Sequence, residues 1–407
     1  MKKILGLLLI LLTLQACKTN YYTRKTYDFN KPVDTRDKKI DFQKKGKFKI
    51  DEITVANDFD GARMNAFSKI NDTLYRVEIG PENYPINPSP WYAFKISSTV
   101  DKDIYLQLNY LHAKHRYNPK ISSNRKDWKK IEALYYGVDS VSVSFPLHLN
   151  AKPQWIAAQK IINSTDVKHW VDSLSQNKFF QEQKIVGKSV LERDIPYFRI
   201  GEGSSENKKV IILLSRQHPP EVTGFMALQY FVSELLKDDA LTRNFYKKYD
   251  IWVFPLLNPD GVDLGHWRHN AHGIDLNRDW AYYRQPEINA VTDFIIRKAK
   301  QGKNQVVLGI DFHSTFKDIY YVYNENISTQ LPDFQQFWTS SIDRSVYPFK
   351  TKYVASDILQ PVSKNWFKIQ FDANGITYEV GDSTPERIIA KKSKAAAVAL
   401  MDLLMGF

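Results

Sequence analysis

Two kinds of apolar pattern divide this chain. Up to about residue 150, apolar positions alternate with polar ones: Ile104, Leu106 and Leu108 in KDIYLQLNY, and Val141, Val143 and Phe145 between the serines of SVSVSF. A period of two marks strands with one face buried and the other in water. The stretches INPSP and YNPKISSN read as turns between such strands, so residues 46–150 predict a small antiparallel β-sandwich. Beyond them the runs VIILL (210–214), IWVFPLL (251–257) and VVLGI (306–310) are apolar throughout, as in strands covered on both faces. Helical spacing lies between these runs, with Val222, Phe225, Leu228 and Phe231 on one stretch. Ile288, Val291 and Ile295 follow Pro286, a favoured first-turn residue, on another. Strand and helix in alternation predict one α/β domain over 151–407.

Composition adds little to this picture and the N-terminus adds more. Of 407 residues, 43% are hydrophobic and 25% charged, which is globular composition and enough chain for two or three domains. The net charge of +12 comes from lysines spread along the chain, with no nucleic-acid-binding motif, so nucleic acid is not an expected partner. MKKILGLLLILLTLQAC carries two lysines and then an apolar run shorter than the ~20 residues of a membrane span. It suits a signal peptide over 1–16. LQAC resembles a bacterial lipobox, which makes Cys17 a lipidation site and the polar stretch 17–45 a tether. The alternative is an ordinary secretory signal with a chance cysteine. The expected location is the bacterial cell envelope, lipid-anchored, at the outer membrane because no aspartate follows Cys17 directly. Cys17 is the one cysteine, so no disulfide forms within the chain and the mature protein has no thiol for catalysis.

In α/β sheets ligands bind beyond the C-terminal ends of the strands, so each apolar run can be followed to its exit. VIILL exits to His218 and Glu221 in SRQHPPEVTG, and IWVFPLL exits to NPDGVDLGHWRHNAHGIDLNRDW. VVLGI exits to DFHS with His313, and GITYEVGD carries Glu379 on a strand read as alternating. Two imidazoles and a carboxylate suit one zinc ion per chain and leave a position open for water. A further carboxylate can then serve as general base. His218 and Glu221 alone would read as polar residues in a turn; the order of motifs, each at a strand exit, favours a site. No H-E-x-x-H helix is present. His266, His269 and His272 lie in a glycine-containing loop with no carboxylate placed to complete a metal set. GEGSSE lacks the G-x-S-x-G frame of a nucleophile elbow and reads as a hairpin turn.

From about residue 183 to 385, H-x-x-E, N-P-D-G, W-R, D-L-N-R, D-F-H-S and Y-E-V-G in this order resemble the M14 zinc carboxypeptidases. The upstream INPSPWYAFKI and HRYNPKIS resemble the N-terminal domain of the cytosolic carboxypeptidase branch. The resemblance implies a mixed, largely parallel sheet flanked by helices, preceded by the small antiparallel sandwich. It implies zinc on His218, Glu221 and His313, Glu379 as general base, and Arg268 as the group that stabilises a developing oxyanion. It implies that Asn277 and Arg278 hold the terminal carboxylate of a peptide or protein substrate. The position two before Trp366, Lys364, matches the floor of the pocket for the departing residue, and an ammonium there implies a preference for acidic C-terminal residues. The family's mobile tyrosine position is Asp357 here, with Tyr353 close by. A zinc amidase acting on N-acyl amino acids or cell-wall peptides stays open beside the carboxypeptidase.

Overall fold

The computed structural model describes residues 19–29 and 34–406. The expected signal peptide and Cys17 lie outside the described residues. The alternating region forms two facing sheets. One has six strands in the order Lys47–Ile50, Ile53–Ala56, Ala93–Ser98, Gln154–Ala157, Lys120–Ser122 and Lys129–Lys130. The other has five, in the order Ala66–Lys69, Leu74–Ile79, Lys102–Tyr110, Ser142–Leu149 and Tyr135–Tyr136. Their pairs are antiparallel except Leu74–Ile79 with Lys102–Tyr110, which run parallel. Ile104, Leu106, Leu108, Val143 and Phe145 all point into the core.

Several local expectations change. Val141 lies just before its strand and is exposed. Lys120–Ser122, expected as part of a turn, pairs as a strand with Gln154–Ala157, which carries the sandwich past residue 150. Residues 19–29, expected as tether, lie along the second domain. Tyr21 and Tyr22 pack on its core, Arg24 bonds Asn289, and Lys25 bonds Gln370. Two adjacent tyrosines have more to gain by burying their rings than by staying in a solvated linker.

The second domain is built on an eight-stranded sheet. Its strands are β1 (Phe180–Lys188), β2 (Asp194–Ile200), β3 (Lys209–Ser215), β4 (Tyr249–Phe254), β5 (Gln305–Thr315), β6 (Ile319–Tyr323), β7 (Lys352–Ser356) and β8 (Asn374–Gly381), ordered β1-β2-β4-β3-β5-β8-β6-β7. The four central strands run parallel. β3 from Val210 onward and all of β4 are buried because helices cover both faces: α1 (Val222–Leu235) on one side, α2 (Pro286–Gly302) and α3 (Ser363–Phe371) on the other, and α4 (Glu386–Met405) against α1. β8, expected to alternate, is buried on both faces, and Glu379 is its least buried residue. GEGSSE is not a hairpin turn. It joins β2 to β3, which are not neighbours, since each pairs with β4.

Candidate active site

β3 leaves the sheet at Ser215, and Arg216 adopts a left-handed conformation (φ 57°) that turns the chain toward α1. His218 and Glu221 are thereby presented together, Glu221 being the last residue before the helix. His218 Nδ1 lies 2.8 Å from Glu221 Oε1, and His313 Nδ1, near the end of β5, lies 2.7 Å from Glu221 Oε2. Ligand atoms of the three buried residues fall within 4.8 Å of one another. The outer nitrogens also face carboxylates: His218 Nε2 is 3.0 Å from Asp275 Oδ1 and His313 Nε2 is 2.8 Å from Asp311 Oδ2. Two imidazoles and one carboxylate, each imidazole oriented by an acid behind it, form a donor set that fits zinc. Burial would raise the Glu221 carboxyl, but His218 and His313 hold it well below the usual carboxylate range. The decoy histidines do not gather. His266 Nδ1 meets the His269 carbonyl, His269 meets Asn83, and His272 meets Gln285 and Asp37.

The parallel register of β5 and β8 sets Glu379 directly beside His313. Its Oε2 is buried without a hydrogen-bond partner among the described residues. Burial first, then the nearby Glu221, push its carboxyl up to about 8, against the pull of His313 and Arg268. Arg268 stands on the loop after β4. Its Nε donates to Asp275 Oδ2 at 2.7 Å, so one carboxylate orients both this guanidinium and His218. Asn277 Oδ1 accepts from the Ser363 amide at the start of α3, and Arg278 Nη1 donates to the Asn277 carbonyl at 2.8 Å.

These residues share one cavity of about 440 Å³, lined by His218, Glu221, Arg268, Asn277, Arg278, His313, Lys364 and Glu379. Lys364 is 3% exposed and meets no carboxylate within ion-pair distance among the described residues. Its ammonium donates to the Val322 carbonyl and to Ser356 Oγ and lies 4.6 Å from the centre of the Tyr323 ring. Burial pushes it down to about 8, with Asp357 opposing. Tyr353 is not among the lining residues and donates to Asp343, whereas Tyr321, on the neighbouring β6, lines the cavity with Asp357. The sandwich contributes Asn87, Ser89 and Arg116, the last paired with Asp382 at 2.8 Å. Asp275 and Asp311 were missed in the sequence although each stands two residues ahead of a residue that was singled out. Arg116 lies inside HRYNPKIS without being singled out, and Tyr321 carries no local signal.

An α/β sheet with a His-Glu-His cluster at the ends of parallel strands defines a class, and comparison agrees with it. Residues 167–381 match the zinc carboxypeptidase model, and the chain belongs to that family. Cytosolic carboxypeptidase 6 of Mus musculus is 25% identical over 284 residues, 63% of this chain and 52% of that protein. This chain therefore spans about half the length of that relative. Among solved structures, a metallo-carboxypeptidase from Burkholderia cenocepacia superposes with a TM-score of 0.74 at 17% identity, over 87% of this chain and 99% of that one. A metallo-carboxypeptidase from Pseudomonas aeruginosa, in complex with (2-guanidinoethylmercapto)succinic acid, gives 0.71 at 19% identity, over 86% and 99%.

Proposed function

We propose that the protein is a zinc-dependent carboxypeptidase that removes the C-terminal residue of peptides or proteins, with a preference for acidic residues. The observation that carries the reading is the single cavity that gathers candidate metal donors, a carboxylate with one oxygen unpartnered among the described residues, four guanidinium or ammonium groups and side-chain amides. His218, Glu221 and His313 would hold a zinc ion, which would supply a Lewis acid able to polarise a carbonyl and lower the pKa of a water molecule. Glu379 takes a proton from the attacking water as the water oxygen bonds to the scissile carbon. It then delivers the proton to the amide nitrogen as the C–N bond breaks, so one water is consumed and an acid and an amine are released. Arg268 holds its Nε on Asp275 and turns its terminal nitrogens to the carbonyl oxygen as negative charge grows there. Arg278 and Asn277 bind the substrate's terminal carboxylate, a task that suits a planar guanidinium.

Lys364 supports the acidic preference. A buried ammonium without a carboxylate partner among the described residues favours a substrate carboxylate and rejects a cation. Kinetics on peptides ending in Glu, Leu and Lys, with N-acyl amino acids alongside and a chelator control, test the reading. Chelator-sensitive turnover fastest on Glu-ended peptides is expected; turnover of acyl amino acids alone would move the assignment to an amidase. The N-terminal pattern supports lipidation at Cys17 and a place on the bacterial envelope, with a Cys17→Ser form released into soluble fractions or left unprocessed. Unchanged membrane fractionation of that form would count against the anchor.

A further inference from the structure

The loop Trp267–His269 that carries Arg268 has neither helix nor ladder to pair its backbone. Three consecutive amides there need acceptors, because buried N–H groups left unpaired are costly. All three are met by one carboxylate of the sandwich. Glu82, fully buried, accepts from the Trp267 amide at Oε2 (2.7 Å) and from the Arg268 and His269 amides at Oε1 (2.9 and 2.7 Å). Its neighbour Asn83 holds the His269 ring and the Gly273 carbonyl, and the Trp91 carbonyl accepts from the Trp267 indole. Burial would raise the Glu82 carboxyl, but His266, His269 and Arg63 hold it at about 2. The arginine is thus fixed at two points: its backbone by Glu82 and its Nε by Asp275. Its terminal nitrogens make no hydrogen bond among the described residues.

We infer that Glu82 is a positioning residue for Arg268, through which the sandwich domain acts on the chemical step. The inference rests on the reading of Arg268 as the oxyanion-stabilising group. Removing the carboxylate lets the loop relax, and misplacement of a transition-state donor by about 1 Å can cost on the order of a hundredfold. An interaction made only in the transition state lowers kcat and kcat/KM together and leaves KM in place.

The experiment is a double-mutant cycle on the zinc-loaded full chain with a Glu-ended peptide, comparing wild type, Glu82→Gln, Arg268→Ala and the double variant. Zinc content and circular dichroism are measured for each. Glu82→Gln is expected to keep zinc, fold and KM while kcat falls about ten- to a hundredfold. In the Arg268→Ala background the same change should cost less than about twofold, because the group it positions is already gone. Equal losses in both backgrounds would show that Glu82 acts elsewhere. An unchanged kcat for Glu82→Gln, with Arg268→Ala impaired, would leave Glu82 a purely structural residue. An active Arg268→Ala would instead remove the reading of Arg268 on which the inference stands. If Glu82→Gln does not fold, Glu82→Asp, which keeps the charge but loses reach, takes its place with the same expectation. Failure of both to fold would overturn the inference in favour of a folding role.

Discussion

Glu379 and Glu221 are both glutamates within reach of His313, yet their surroundings give them different work. Glu221 lies between two imidazoles that hold its carboxyl ionised, which suits the metal-ligand role proposed for it. Glu379 has burial and a neighbouring negative charge against it and keeps one oxygen unpartnered. Glu379→Gln should therefore keep zinc, because the amide leaves the donor set intact, and lose about 10²- to 10⁴-fold in kcat for want of a proton acceptor. Loss of zinc in that variant, read by metal analysis, would make Glu379 a ligand instead. Lys364 gives a pH-dependent prediction. With its ammonium pushed down to about 8, it is charged below that pH and neutral above it. The ratio of kcat/KM for Glu-ended over Leu-ended peptides should thus be highest below about pH 8 and fall as pH rises through it. A ratio flat from pH 6 to 10, or one unchanged in Lys364→Met, would take Lys364 out of the pocket.

At the scale of elements, the meeting of α1 with β5 fixes the His218, Glu221 and His313 cluster. Glu221 enters from the start of the helix and His313 from the end of the strand, so the two elements must come very close. Gly224 makes that possible: a Cβ there would fall inside van der Waals contact of the His313 carbonyl, and the Gly224 amide donates to Ser314 Oγ at 2.8 Å. Gly224→Ala should push α1 off β5, costing roughly 1–3 kcal/mol of stability from overpacking and lowering zinc occupancy with it. A variant with wild-type Tm and zinc content would show that the helix can shift without moving Glu221. The sheet register has a comparable role, since β5 and β8 slipped by one residue would turn Glu379 to the opposite face from His313.

At the scale of the molecule, one hydrophobic cluster runs from the sandwich, with Phe94 and Phe145, into the α/β domain, with Phe225 and Leu400. Ion pairs and hydrogen bonds cross the same boundary at Arg116–Asp382 and at Glu82 with its three amides. A shared core of this kind resists separate unfolding. Calorimetry of the zinc-loaded protein should show a single transition whose calorimetric and van't Hoff enthalpies agree. Two resolved transitions would mean that the sandwich folds independently.

The sequence by itself determined the class of each region, because burial on one face or on both leaves a direct mark on apolar spacing. It also pointed to His218, Glu221 and His313, which the fold brings together, and to Glu379 beside them, because a site at strand ends places its chemistry directly after apolar runs that can be read in order. Asp275 and Asp311 were legible in principle, standing inside those same motifs. Residues 19–29 read as linker because local composition cannot report a docking surface that other elements build. The roles of Arg116, Tyr321 and above all Glu82 were not legible, since their partners lie on other strands or in the other domain: Glu82 meets the amides of residues 267–269. Such contacts follow from how the sandwich seats on the α/β sheet. That seating is decided by long-range packing of the shared core, which no short window of residues encodes.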